Sequence, residues 1–243
     1  MESAFILIQC TDHEGIVAKL SNFVFELGGN IVQSHQHSAE LDEPRFFMRT
    51  AFTFDPARTS RQAIEDGLAP LAQELEAEYT IHFGSERLRM AIAVSKYDHC
   101  LLDLLYRVRM DHMPVNVACV VSNHDTLRPI AEREGFPFYH LPVSGETRRA
   151  QERQFVEIIK PESDFLVMAR YMQILTQNFL DDYGKDVINI HHSFLPSFKG
   201  ANPYKQAFER GVKVIGATAH FATVDLDEGP IIEQVVGRVS NKD

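Results

Sequence analysis

Cysteine is scarce in this sequence, and its placement argues against a small fold held together by disulfides or by zinc. The three cysteines among 243 residues are Cys10, Cys100 and Cys119. None lies in a Cys-X-X-Cys pair, and the odd count and wide spacing indicate neither a disulfide framework nor a zinc site. The pattern is typical of reduced cysteines in a cytosolic protein.

Long apolar runs and a basic excess are also missing. No stretch approaches the ~18 apolar residues that span a bilayer, and the first five residues lack the basic start of a signal peptide. We therefore expect a cytoplasmic protein with no membrane partner. The formal net charge of -10 argues against binding to nucleic acid, although a local basic patch would still hold a small anion.

The first 84 residues carry one pattern of predicted elements. Apolar runs of β-favouring residues predict strands, and Ile16, Leu20 and Val24 recur at helical spacing. The predicted order is strand, helix, strand, strand, helix, strand, over residues 5–10, 16–27, 30–37, 45–54, 61–76 and 78–83. This is the split βαβ, or ferredoxin-like, order.

After residue 84 the pattern changes to strands that alternate with helices. Strands are predicted over residues 88–94, 115–121, 138–141, 165–168, 187–190, 213–222 and 230–239, and helices over 99–109, 127–134 and 148–159. This alternation indicates an α/β domain with a mostly parallel sheet covered on both faces. We predict one domain over 1–84 and a Rossmann-like domain over 85–243, with ligands bound beyond the carboxyl ends of the strands.

Two loops of the second domain carry residues suited to carbonyl chemistry. Asn189 and His191 end an apolar strand two residues apart, so their side chains share a face. An amide donor beside an imidazole suits the stabilisation of an oxyanion. A later loop, residues 223–230, brings a carboxylate that can move a proton or orient a water. Taken separately, each loop is also compatible with a purely structural turn.

Together the two loops resemble the folate-dependent formyltransferase family. The match lies in Asn189-Ile190-His191 with the following Ser193-Phe194-Leu195-Pro196, in His220, and in Leu226-Asp227-Glu228-Gly229-Pro230. Glycinamide ribonucleotide transformylase and methionyl-tRNA formyltransferase belong to this family, which uses an Asn, a His and an Asp around the formyl carbon. The resemblance places these catalytic roles on Asn189, His191 and Asp227, with a formyl-folate as the substrate and no metal or further cofactor.

A third segment, Ala169-Arg170-Tyr171-Met172-Gln173-Ile174-Leu175, resembles the loop that lines the family's pterin pocket. An ordinary connection between a strand and a helix remains the alternative. The resemblance implies folate contacts from this loop and from the Asp227 loop, namely Met172, Gln173, Ile174, Leu175, Val224 and Leu226.

The whole chain resembles the formyltetrahydrofolate deformylase branch of that family. Asp12-His13-Glu14-Gly15-Ile16-Val17, Gly28-Gly29-Asn30-Ile31 and Arg45-Phe46-Phe47-Met48-Arg49 are similar to its N-terminal ACT domain. The resemblance implies a homo-oligomer, a dimer or tetramer, that binds a small amino acid between subunits. The implied effector residues are Asp12, Gly15, Ile16, Asn30 and Ile31. A purely structural dimerisation domain is the alternative.

The loop after the first strand of the second domain indicates which molecule accepts the formyl group. Where the ribonucleotide transformylase has a Gly/Ser loop that binds phosphate through backbone amides, this chain has Lys96, Tyr97 and Asp98. A backbone cradle needs glycine for close approach, so the expected acceptor is water. A phosphate held by Lys96 is the alternative.

The resemblance therefore implies hydrolysis of 10-formyltetrahydrofolate to tetrahydrofolate and formate, which would supply formate for purine synthesis and balance the one-carbon folate pools. Two other functions stay open: a formyltransferase with an amine acceptor such as glycinamide ribonucleotide, and a non-catalytic regulator that responds to folate or an amino acid. The chain stops at Asp243, whereas the resemblance implies a further helix and strand.

Overall fold

The computed structural model describes residues 1–39, 44–200 and 202–239. The chain divides into two compact units, Met1–Arg87 and Leu88–Asp243. The boundary predicted after residue 84 lies in the short segment between the last strand of the first unit and the first strand of the second.

The first unit follows the predicted strand and helix order. Its elements are β1 (Glu2–Thr11), α1 (Ile16–Glu26), β2 (Asn30–Ala39), β3 (Arg45–Phe54), α2 (Arg61–Glu74) and β4 (Glu78–Phe83). The sheet order is β2-β3-β1-β4, with antiparallel pairs throughout. Alternate residues of β1, including Ile6 and Ile8, are buried with Leu20 of α1 and Leu68 of α2, as expected where helices cover one face of a sheet.

The second unit contains β5 (Leu88–Val94), α3 (His99–Arg109), β6 (Val115–Ser122), α4 (Arg128–Arg133), β7 (Phe138–His140), α5 (Arg148–Ile159), β8 (Phe165–Met168), α6 (Gln177–Tyr183), β9 (Val187–His191), α7 (Pro203–Glu209), β10 (Val214–Phe221) and β11 (Ile231–Arg238). The sheet order is β11-β10-β9-β8-β5-β6-β7. The strands from β9 to β7 pair in parallel, whereas β10 and β11 are antiparallel. The predicted mostly parallel α/β sheet is confirmed.

Both faces of this sheet are covered. Ala91 and Ala93 of β5 pack into one apolar cluster, and Met90, Ile92 and Val94 pack into the other. This alternation explains why β5 is continuously apolar from Met90 to Val94: a strand buried on both faces has no polar side.

Two helices, α6 and α7, were not predicted. Each has seven residues, which is too short for apolar periodicity to stand out. The signals for α6 were its ends: Thr176 Oγ1 accepts a hydrogen bond from the Phe179 amide, and Gly184 ends the helix at φ 64°. Pro203 at the first turn of α7 was the corresponding signal there.

The helices of the described residues are all too short or too polar to cross a bilayer. Among them, α2 is fourteen residues long and contains a proline, Pro70.

Candidate active site

A cavity of about 290 Å³ lies beyond the carboxyl ends of β8 and β9. This is the edge at which a parallel sheet places its ligands. Polar and titratable side chains line part of the cavity, namely Arg170, Asn189, His191, His192, His220 and Asp227. Three of them, His191, His220 and Asp227, are almost fully buried, at 5%, 2% and 6% exposure.

His191 and Asp227 form a buried pair. His191 Nδ1 lies 3.4 Å from Asp227 Oδ1, and the other ring nitrogen, Nε2, lies 2.9 Å from the Phe198 carbonyl. Because a carbonyl oxygen only accepts, Nε2 carries a proton and donates it. The backbone therefore fixes the orientation of the ring and turns Nδ1 towards the carboxylate.

Asn189 and His220 form a second pair across β9 and β10. The antiparallel register places His220 directly opposite Asn189, and Asn189 Nδ2 lies 3.2 Å from His220 Nε2. His220 Nδ1 donates to the Phe221 carbonyl at 2.9 Å, so Nε2 of the neutral ring accepts from the amide. One N–H of Asn189 is thereby occupied, and the other remains for a ligand oxygen in the cavity.

The Asp227 carboxylate is held on both oxygens. Oδ2 accepts the Gly200 amide at 2.9 Å, and Oδ1 lies 3.4 Å from His191 and 3.7 Å from His220. A buried carboxylate is tolerated only when donors and opposite charge surround it. Asp227 itself adopts a left-handed backbone conformation at φ 59°, which aspartate tolerates better than most residues.

The loop between His191 and Gly200 is anchored by Thr218 of β10. Its Oγ1 donates to the Ser193 carbonyl at 2.8 Å and accepts from the Leu195 amide at 3.2 Å. Gln234 Nε2 donates to the same hydroxyl at 3.1 Å. The hydroxyl is therefore fully used, and the loop that supplies the Phe198 carbonyl and the Gly200 amide is tied to the sheet.

The predicted folate residues lie mostly at this cavity. Met172, Gln173, Ile174, Leu175 and Leu226 line it. Met172 and Ile174 are each 54% exposed, an unusual degree of exposure for apolar side chains at a cavity wall. The predicted folate contact from Val224 is not found at this cavity, because Val224 is exposed and is not among the lining residues.

The three residues predicted at the acceptor side do not line the cavity. Lys96, Tyr97 and Asp98 are exposed, and they lie where the chain turns from the end of β5 into α3. Tyr97 reaches the cavity wall indirectly, since the Arg170 guanidinium lies 5.3 Å from the centre of its ring. The part of these three residues in excluding an amine acceptor stays a prediction.

The residues predicted to hold an amino acid in the first unit are not all together. Asp12, Gly15 and Asn30 are exposed, but Ile16 is 2% exposed and packs in the core. Asn30 pairs with Thr53, which pairs with Ser3, so Asn30 and Ile31 lie at the opposite end of β1 from Asp12. Along β1 this separation is roughly 27 Å at the strand rise, so within one copy Asn30 and Ile31 do not face the Asp12 loop, and the predicted site between subunits stays a prediction.

Several contributors to the site were not assigned a role from sequence, among them the Phe198 carbonyl, the Gly200 amide, Thr218, His220 and Arg170. Two of these act through the main chain, which sequence does not reveal. For Arg170, the available signal in the sequence was its position just after an apolar strand.

His192 gives the site a dependence on pH that stability measurements can detect. Burial, followed by the charge of Arg170, lowers the pKa of His192 from 6.5 to about 4. Between these values the unfolded chain binds a proton that the folded protein does not, so stability falls as pH drops from about 6.5 to about 4. We expect the urea midpoint to fall over this range less steeply in His192→Gln than in the unmodified protein.

The control is His37→Gln, at an exposed position of β2, which removes one histidine outside the site. Urea midpoints at four pH values between 7 and 4 compare the three proteins. If the urea midpoint changes with pH equally steeply in His192→Gln and in the unmodified protein, the prediction is contradicted.

Comparisons with known proteins agree with this geometry. The formyl transferase family model matches residues 88–243. A formyltetrahydrofolate deformylase of a Synechocystis strain is 45% identical over 99% of this chain and 84% of its own length. The crystal structure of a formyltetrahydrofolate deformylase from Pseudomonas syringae pv. tomato has a TM-score of 0.92 at 41% identity, covering 100% of this chain and 82% of that one.

The fold of the second unit is shared more widely. The crystal structure of glycinamide ribonucleotide transformylase 1 from Symbiobacterium toebii matches with a TM-score of 0.62 at 31% identity, over 67% of this chain and 78% of that one. The match to deformylases, by contrast, spans both units. The chain belongs to the formyl transferase family and, within it, to the formyltetrahydrofolate deformylases.

Proposed function

We propose that this protein hydrolyses 10-formyltetrahydrofolate to tetrahydrofolate and formate, with water as the formyl acceptor. The observation that supports the mechanism most directly is the convergence of Asn189, His191 and Asp227 on one buried wall of the cavity. The family assignment supplies the substrate class, and the cavity supplies a polar wall beside exposed apolar side chains for a pterin.

The reaction balances without a redox partner. The water oxygen bonds to the formyl carbon, and the bond from that carbon to the folate nitrogen breaks. The nitrogen leaves with a proton, and formate and one further proton are released. The formyl group on this nitrogen is already an activated acyl donor, so we expect full activity after metal chelation.

Each polar side chain has a defined part in this proposal. The second Nδ2 hydrogen of Asn189 donates to the formyl oxygen as its charge develops, and a proton on His191 Nδ1 lies on the same wall. The 3.4 Å between His191 Nδ1 and Asp227 Oδ1 is long for a hydrogen bond, which leaves that proton to be shared with the substrate. Asp227 Oδ1 accepts the proton of the attacking water.

The direct test is to incubate the purified protein with 10-formyltetrahydrofolate alone and to measure formate and tetrahydrofolate. We expect equimolar products, with no change on addition of EDTA. Adding glycinamide ribonucleotide should neither speed turnover nor give formylated nucleotide. Formylation of the nucleotide would identify a transferase, and binding of the folate without turnover would identify a regulatory protein.

Ser95 gives a prediction for the folate side of the cavity. Its buried hydroxyl donates to Asn123 Oδ1 at 2.6 Å and accepts the Met172 amide at 3.0 Å. Removing it leaves a part-buried donor and acceptor unpaired, at a cost of about 1–3 kcal/mol. We expect Ser95→Ala to raise the KM for the folate about 5- to 10-fold with a smaller change in kcat. Ser95→Thr, which keeps the hydroxyl, is the control, and an unchanged KM in Ser95→Ala would contradict the prediction.

For the first unit we infer an ACT-like regulatory role, in which a small amino acid binds between two copies of the chain. The βαββαβ order and the antiparallel sheet support this inference. Gly15 supports it as well, because its φ of +90° and the empty space around an added Cβ leave the backbone open to a ligand. Within one copy, Asp12 and Asn30 lie at opposite ends of β1. A site that contains both residues therefore requires a second copy.

Calorimetry against the common amino acids, with sedimentation to establish a dimer or tetramer, tests this inference. Asn30→Ala is expected to weaken binding, although it lies at the far end of the sheet within one copy. A monomer, or an oligomer that binds none of the amino acids, would favour a purely structural unit.

A further inference from the structure

Arg170 is a cation at the cavity wall with no hydrogen-bond or ion-pair partner among the described residues. It is the second residue after β8, and it lines the cavity together with Asn189, His191 and Asp227. In the part of the chain that the structure describes, its Nε atom is buried without a hydrogen-bond partner, and no carboxylate forms an ion pair with it. A buried donor on a charged group is costly when it is left unpaired.

The backbone of Arg170 adds a second observation. Its φ is 63°, in the left-handed region, where a residue with a long side chain is uncommon. Such conformations are strained and persist where the surroundings impose them, often at ligand sites. Here the strained residue is also one that lines the cavity.

Tyr97 helps to hold the guanidinium in place. The Arg170 Cζ atom lies 5.3 Å from the centre of the Tyr97 ring, within the range of a cation–π contact. The ring satisfies one face of the guanidinium but none of its N–H groups. Those groups form a planar fork that suits a carboxylate with two oxygens.

The chemistry in the cavity supplies such a carboxylate. Under the proposed function, on which this subsite rests, hydrolysis converts an uncharged formyl group and water into formate. The negative charge of formate forms beside the buried carboxylate of Asp227. Asp227 repels that anion and Arg170 attracts it. Arg170 is also the only side chain of the cavity wall, within the described residues, that carries a permanent positive charge.

We propose that Arg170, held by Tyr97, forms the subsite that binds the product formate and draws it away from Asp227. A folate substrate also carries carboxylates, on its glutamate tail, and these share the same chemistry. The structure favours formate because Arg170 and the catalytic side chains line a single cavity of about 290 Å³.

The experiment measures inhibition by added formate and, separately, direct binding of [13C]formate by NMR in the absence of folate. We expect Arg170→Gln, which keeps a side chain of similar length, to raise the inhibition constant for formate about tenfold or more. Arg170→Lys, which keeps the charge but not the fork, should raise it less. Arg133→Gln, which removes an exposed charge at the end of α4, controls for the change in net charge.

A substrate without the glutamate tail, 10-formyltetrahydropteroate, separates the two sources of carboxylate. If Arg170 binds the tail, Arg170→Gln raises the KM for 10-formyltetrahydrofolate but not for this substrate, formate inhibition is unchanged, and the proposal is overturned. Hydrolysis by the unmodified protein with no formate binding also overturns it. Formate bound through Arg170 by a protein that does not hydrolyse the folate would instead refute the proposed function and leave the anion subsite standing.

Discussion

Asp227→Asn is expected to lower kcat by at least ~10²-fold while the protein remains folded. Asparagine tolerates the left-handed backbone at this position (φ 59°), and its amide oxygen still accepts the Gly200 amide that binds Oδ2. The substitution therefore removes the charge beside His191 and His220 with little change in shape. Steady-state formate release, with urea unfolding of the same sample, separates chemistry from stability.

The same loss of at least ~10²-fold is expected for Asn189→Ala and for His191→Ala. Asn189→Ala removes the amide that contacts His220, and His191→Ala removes the ring that bridges Phe198 and Asp227. Circular dichroism and the urea midpoint show whether each variant is folded. Near-normal kcat in any two of the three variants would refute the mechanism.

Gly229→Ala is expected to lower both stability and kcat. A Cβ at this position would lie 1.8 Å from the Phe221 carbonyl oxygen, so the backbone of one strand end must move. That same oxygen accepts the hydrogen bond from His220 Nδ1, and the Phe221 amide donates to Pro230. Overpacking of this kind typically costs about 1–3 kcal/mol, and the movement would also displace His220 and Asn189.

Gly145→Ala is the matched control, because an added Cβ there meets nothing within 4 Å and the φ is not positive. Thermal or urea unfolding and kcat are measured for both variants. Unchanged stability in Gly229→Ala would show that the backbone accommodates the added Cβ beside the Phe221 carbonyl without cost. An unchanged kcat would show that the position of His220 does not depend on that part of the backbone.

The sequence was most informative where one physical signal dominated. The predicted bounds of β5 and β8 are those of the structure, because apolar runs mark most of β5 and all of β8, as expected of strands buried on both faces. The spacing of Asn189 and His191 indicated a shared face, and the structure places both at one cavity. The resemblance to a known family, and not the spacing, connected Asp227 to them.

What sequence did not give depends on contacts between distant segments. Asn30 and Asp12 lie at opposite ends of β1 because β1 and β2 both run antiparallel to β3, an arrangement that depends on which strands pair. The outward direction of Lys96, Tyr97 and Asp98 depends on how the chain turns from β5 into α3. The unpaired state of Arg170 is visible only when its surroundings are known.

Both histidines beside Asp227 donate one ring hydrogen to a main-chain carbonyl, His191 to Phe198 and His220 to Phe221. Each ring consequently presents its other nitrogen to the site, Nδ1 of His191 and Nε2 of His220, and no side chain at positions 198 or 221 is needed to set these orientations. Evolution is therefore free to vary those two side chains wherever packing permits, without altering the proton arrangement at the site. An alignment of related sequences would then overlook two of the contacts on which the site depends, because what is preserved is the path of the backbone.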